Sequence, residues 1–231
     1  MKVTFRCLPE LEGIAPEPRA ARGALPDWLP DLTGVMTRDG ASDQATVEHC
    51  PPFAEAMACG FLMPLACDVR VADGRVSWLW HDFPTVSARR APRSPMAFQS
   101  TEPAAGLPGH GEDMILVRFM AFWTIELPPG HGLLVTHPFN RDDLPFRTLS
   151  GLVTPETCAD TYLHVPAVWT DRGYSGLLAQ GTTVAQCIPV PLSAADVVCE
   201  VVAEEPSSTL NAALHDLPPT ETGEWHFPSS G

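Results

Sequence analysis

The sequence predicts a mainly β fold, barrel-like or a sandwich, with one or two short helices, an extended N-terminal arm and a C-terminal tail. Three observations carry that expectation. The 231 residues include 25 prolines spread over nearly the whole length, and a proline inside a helix removes a hydrogen bond and clashes with the preceding turn. Short apolar runs of strand length recur at close spacing. Pro, Gly and Asp punctuate them as turns. Many short strands between fixed turns suit a barrel or a sandwich better than a helical bundle.

Taken in order, Val3 to Cys7 is a first short strand. Residues 9–43 are rich in Pro, Gly and Asp and read as an extended arm, with Leu25, Trp28 and Leu29 as apolar pegs. Pro52 to Cys59 is the clearest helix, since proline near its start costs no hydrogen bond and Gly60 follows its end. Leu65 to Val71 and Arg75 to Trp80 flank Ala72-Asp73-Gly74, a hairpin turn. Residues 84–112 read as a long polar surface loop. Met114 to Leu127 is a strand run long enough to bend or break once. Pro128-Pro129-Gly130 then turns it back into His131 to Thr136 as a second hairpin. Further strands are expected at Arg147 to Val153, Thr161 to Val168, Tyr174 to Leu178 and Thr183 to Pro189. Asp196 to Ala203 reads as a last strand or a helix. No internal repeat or mid-chain linker is visible, so residues 1–203 read as one domain and 204–231 as a polar tail.

The formal net charge is -14, from 28 acidic and 14 basic residues. A surface of that sign repels phosphate backbones, and the only basic knot is Arg89, Arg90 and Arg93, so nucleic acid is not an expected partner. The seven cysteines are odd in number and lack a framework spacing, which suits reduced thiols in a cytoplasmic protein. The first residues lack the apolar core of a secretory signal. The longest apolar stretch, Ala56 to Cys67, is too short for a bilayer, so no membrane association is expected.

Candidate chemistry concentrates in His137-Pro138-Phe139-Asn140-Arg141-Asp142-Asp143, between two expected strands. An imidazole, an amide, a guanidinium and two carboxylates in one loop suit a small polar ligand. A self-satisfied turn, with an Arg–carboxylate pair and an Asx-type bend, explains the same residues. Asp68 interrupts an apolar strand and calls for a partner, for which Arg141 or Arg147 is available. His131 and His137 face one way but stand about 20 Å apart along a strand, too far to share an ion. His164 approaches His137 only if their strands pair. No zinc or facial-triad iron spacing occurs, and no particular cofactor is indicated. A serine elbow and a Gly-rich nucleotide loop are also missing. The cysteines sit in apolar text and read as small buried hydrophobes.

The text of 129–191 carries a resemblance. PGHGLLVTHPFNRDDLPFRTLSGLV, TYLHVPAVWT and GTTVAQCIPVP resemble the signature of a bacteriophage and bacterial family that has no assigned activity, and HPFNRDDLPF is its most specific element. ALPDWLP at 24–30 and CPPFAEAMACGFLMPLACDV at 50–69 resemble its other signatures. Thr154-Pro155-Glu156 departs from the family's acidic continuation. The stretch 147–190 also resembles the β-clip core of dUTPase and dCTP-deaminase proteins. Thr154 stands where those enzymes need an aspartate, so this likeness implies topology alone.

Two functions remain open at this point. One is a β-rich protein binding a small polar ligand around His137, Asn140, Arg141, Asp143 and Asp68, with His137 as candidate acid/base and Arg141 as anion clamp. The other is a non-catalytic, phage-related structural or interaction module, forming a homo-oligomer or gripping neighbours through its arm and tail.

Overall fold

A computed structural model of the chain describes residues 1–25, 29, 51–79, 92–100, 114–158 and 162–201. The strands are β1 (Thr4–Arg6), β2 (Arg19–Ala20), β3 (Phe61–Pro64), β4 (Val69–Ala72), β5 (Arg75–Trp78), β6 (Met96–Gln99) and β7 (Ile115–Met120). They continue with β8 (Thr124–Glu126), β9 (His131–Thr136), β10 (Phe146–Thr148), β11 (Gly151–Val153), β12 (His164–Trp169), β13 (Gly176–Leu178) and β14 (Thr183–Pro191). Short helices occupy Pro51–Met57 and Pro155–Cys158. The fold is mainly β, as expected, and every described strand pair is antiparallel.

Among the described residues four sheets result, ordered β11-β9-β14-β3-β2, β10-β12-β7-β6, β13-β4-β5 and β1-β8. Among the described residues none closes on itself, so the sandwich alternative describes the architecture and the barrel does not. Period-two alternation sets which side chains face inward. Leu133, Val135, Ala185, Cys187, Phe61 and Met63 line the inner face of the five-stranded sheet. Met96, Val117, Phe119, Val165, Ala167 and Phe146 line that of the four-stranded sheet, and Val69, Val71 and Leu178 come from the three-stranded one. All belong to one continuous core. At its centre the buried rings of Phe119 and Phe146 lie 4.6 Å apart, each stabilising the fold by about 1.5–3 kcal/mol through burial.

Turn chemistry is where local sequence and structure agree most closely. Asp73 (φ 51°) and Gly74 (φ 71°) are both left-handed and join β4 to β5 as a two-residue turn, at the hairpin expected over Ala72-Asp73-Gly74. The Pro51–Met57 helix also lies where proline and Gly60 bracket it. The 114–127 run breaks once, at 121–123, into β7 and β8.

Several expectations are corrected. The strand expected at 65–71 begins only at Val69, because Leu65–Asp68 bends between β3 and β4. The turn at 128–130 does not close a hairpin, since β8 pairs with β1 while β9 pairs with β11 and β14. The 147–153 run splits between sheets at Leu149-Ser150. The surface loop of 84–112 contains β6, an edge strand on β7. Of the arm, residues 9–25 pack against the body, with Leu11, Ala15 and Ala21 buried and the Trp123 indole N–H donating to the Pro16 carbonyl at 2.9 Å. The rest of the arm, apart from Leu29, lies outside the described residues.

The chain divides into two compact units, Met1–Ala195 and Asp196–Gly231. In the second, residues 196–201 form neither strand nor helix, and Val197, Val198 and Val201 are exposed. The tail at 204–231 lies outside the described residues.

Candidate functional site

The 137–148 loop leaves the end of β9 and returns as β10, crossing from the five-stranded sheet to the four-stranded one. Pro138 fixes φ at the first corner. Asn140 follows in the left-handed region, φ 59°, which asparagine tolerates better than most residues. The Arg141 N–H donates back to the Pro138 carbonyl at 3.3 Å and closes the turn.

The His137 imidazole is held at both nitrogens. The Thr148 backbone N–H donates to Nδ1 at 3.2 Å, so Nδ1 carries the lone pair and Nε2 the proton. That Nε2–H donates to the Arg141 carbonyl at 2.9 Å. The ring therefore bridges the two ends of the loop, with the Phe146 ring edge-on at 6.1 Å. Thr148 continues the seam, its hydroxyl donating to the Val184 carbonyl at 2.6 Å in the buried interior.

Arg141 and Asp143 form a fork, Nε to Oδ1 at 2.6 Å and Nη2 to Oδ2 at 2.8 Å. The hydrogen bond to Arg141 lowers the Asp143 carboxyl below its ordinary value despite partial burial, and the same bond raises Arg141. The arginine is the better shielded partner, at 23% side-chain exposure against 56% for the aspartate.

Gln186, 1% exposed at the centre of β14, organises the far side of the loop. Its Oε1 accepts the Phe139 N–H at 3.1 Å. Its amide nitrogen donates to the carbonyls of Ala56, Met57 and Cys59 at 2.9, 3.3 and 2.7 Å, where the Pro51–Met57 helix ends and the Ala56 carbonyl also accepts the Cys59 N–H at 3.2 Å. One side chain thus caps the helix and pins the loop. The sequence signal was available: Gln186 is the lone polar residue within Val184-Ala185-Gln186-Cys187-Ile188.

His137, Asn140, Arg141 and Asp143 are therefore brought together, and Asp68 takes no part in their hydrogen bonds. Asp68 is exposed rather than directed into the core, and its Oδ1 accepts the Gln180 N–H at 2.7 Å instead of an arginine. Glu55 pairs with Arg22. The strand of His164 pairs with β7 and β10, not with β9, and His164 faces Arg118, Nδ1 to Nη1 at 3.4 Å. His131 turns to the Pro129 carbonyl at 3.0 Å. Among the described residues no three His, Cys, Asp or Glu side chains converge on a metal position.

Cys67 and Cys187 are buried free thiols. Burial, assisted by Asp68, pushes Cys67 up to about 11, and burial alone pushes Cys187 higher. No described helix is long and apolar enough to cross a membrane. The chain matches no protein-family model and no curated protein.

Proposed function

We propose that this protein is a non-catalytic binding or interaction module, and that the 137–148 loop is a rigid structural joint between its two main sheets. The observation that carries this reading is the doubly engaged His137 ring, whose two nitrogens both serve main-chain groups of the loop itself. A general base needs a lone pair directed at its substrate, and the Nδ1 lone pair of His137 is directed at the Thr148 N–H. Unpaired thiols at buried positions support a cytoplasmic setting. The likeness of 129–191 to a phage and bacterial family fits an interaction role.

A second reading, a polar-ligand site at the same loop, draws on one observation. The Asp143 carboxylate is 56% exposed, so a solute can compete for its fork with Arg141.

His137→Ala tests the first reading. It strands the Thr148 N–H, worth about 1–3 kcal/mol when left unsatisfied and buried, and leaves the Arg141 carbonyl with the Leu144 N–H at 3.4 Å. Because the ring is only half-buried, water recovers part of this, and we expect a loss of about 1–3 kcal/mol in urea unfolding. A variant as stable as the parent would overturn the structural role. Native mass spectrometry of the freshly purified protein separates the two functions. A self-assembled or partner-bound species supports the module, whereas a stoichiometric polar solute lost on Arg141→Ala supports the ligand site.

A further inference from the structure

Away from the loop, the N-terminal strand β1 stands over the inner face of the five-stranded sheet and leaves an open cavity of about 360 Å³. Register explains its floor. Ala20 on β2 pairs with Phe61 on β3, Phe61 pairs with Cys187 on β14, and Pro189 follows two residues later on the same face. Val3 and Phe5 supply the opposite wall, and the Phe5 ring meets Phe61 edge-on at 4.9 Å, closing the inner end. Cys59 and Ala20 are both exposed and mark the mouth.

We infer that this cleft is a binding site for a small, uncharged, apolar molecule of about two rings. Three observations define the chemistry. Every lining side chain is apolar except the Cys59 thiol, so no lining side chain offers a strong hydrogen bond or an ion pair to a polar solute. The formal charge of -14 disfavours an anion, and the lining holds no carboxylate for a cation. An apolar cavity of about 150 Å³ holds one benzene, so 360 Å³ accommodates about two rings, at the small end of ligand-pocket volumes. A packing void in the core would be ringed by buried residues, whereas here exposed Ala20 and Cys59 leave the mouth open to solvent. The walls are also braced. Gly60, at φ +73°, lies so close to β14 that an added Cβ would fall 2.1 Å from the Cys187 carbonyl oxygen. The floor therefore cannot sink to fill the space.

The test uses the full chain and the neutral two-ring probe 6-propionyl-2-(dimethylamino)naphthalene. We expect saturable, blue-shifted fluorescence at one probe per chain. Ala20→Trp, which places an indole across the mouth from an exposed edge position, should weaken binding at least tenfold with the thermal midpoint unchanged. A second readout does not depend on that variant folding. Saturating probe should slow alkylation of Cys59 several-fold, followed by peptide mass, and leave exposed Cys199 unaffected. Absence of saturable binding, or binding that leaves the Cys59 rate unchanged, overturns the inference. Neither result bears on the His137 loop, whose test is a stability measurement on a different variant.

Discussion

Gln186→Leu is the perturbation whose magnitude follows most directly from the structure. Leucine keeps most of the volume of the side chain but removes one acceptor and one donor group. The Phe139 N–H loses its partner, the Gln186 Oε1 at 3.1 Å, and a buried unsatisfied donor costs about 1–3 kcal/mol. The carbonyls of Ala56, Met57 and Cys59 lose their shared donor. Met57 is buried, but Cys59 is exposed and admits water, so this end adds about 1–2 kcal/mol rather than three full penalties. Burying the leucine methyls returns roughly 1 kcal/mol. The net expectation is a loss of about 1–4 kcal/mol, a large share of a stability of roughly 5–15 kcal/mol. With a urea slope of about 2 kcal/mol/M, the midpoint falls by about 0.5–2 M. Gln186→Glu should fall further, because a carboxylate cannot donate to three carbonyls and is desolvated beside them. The assay is urea unfolding followed by tryptophan fluorescence, with amide exchange at Phe139 as a local reporter. A leucine variant within about 0.3 M of the parent, or a glutamate variant more stable than leucine, would refute the account of Gln186 as the common cap.

Three further outcomes follow. Gly60→Ala should lose about 2–5 kcal/mol in the same urea assay, because a left-handed backbone and overlap with the Cys187 carbonyl oxygen act together. Asp143→Asn should cost less than about 1 kcal/mol at pH 7, as the aspartate is largely exposed. Because the folded Asp143 carboxyl titrates below its unfolded value near ~3.9, the fork's contribution is complete above that pH and vanishes as pH falls through the folded value. Acid unfolding curves of parent and variant should therefore converge at the acid end and separate towards neutrality. Iodoacetamide at pH 8 should label Cys59 and leave native Cys67 and Cys187 unmodified by peptide mass, since burial holds both thiols protonated.

What was legible in the sequence was local. The Asp73-Gly74 hairpin and the helix bracketed by proline and Gly60 rest on backbone preferences that act within a few residues, and the structure has both. Pairings across the chain were not legible. The Pro128-Pro129-Gly130 turn carries the text of a hairpin, yet β8 is claimed by β1 from more than a hundred residues away. Asp68 was misread for a related reason. An isolated carboxylate in apolar text implies a buried partner only if the strand runs straight, and the bend at 65–68 turns it outward to the Gln180 N–H. The four loop residues stand together because they are neighbours in the chain. Gln186, which holds them from β14, was passed over because its role depends on a helix 130 residues earlier.

The polar density of His137 to Asp143 invites a chemical reading, but each residue also answers a demand of the crossover between sheets. Leaving one sheet and entering another strands main-chain groups at both ends of the connection, and each must find a partner. His137 serves the Thr148 N–H and the Arg141 carbonyl with one ring, which only a neutral imidazole, donor at one nitrogen and acceptor at the other, does in that geometry. Asn140 supplies the left-handed corner, Arg141 and Asp143 brace the tip, and Leu144 and Phe146 return the chain to the core. The His137 nitrogens point to main-chain atoms of the loop, while the apolar cleft lies elsewhere, under β1. On the proposed reading recognition and rigidity belong to different parts of the molecule, and a loop variant should lower stability without altering the probe affinity of the cleft.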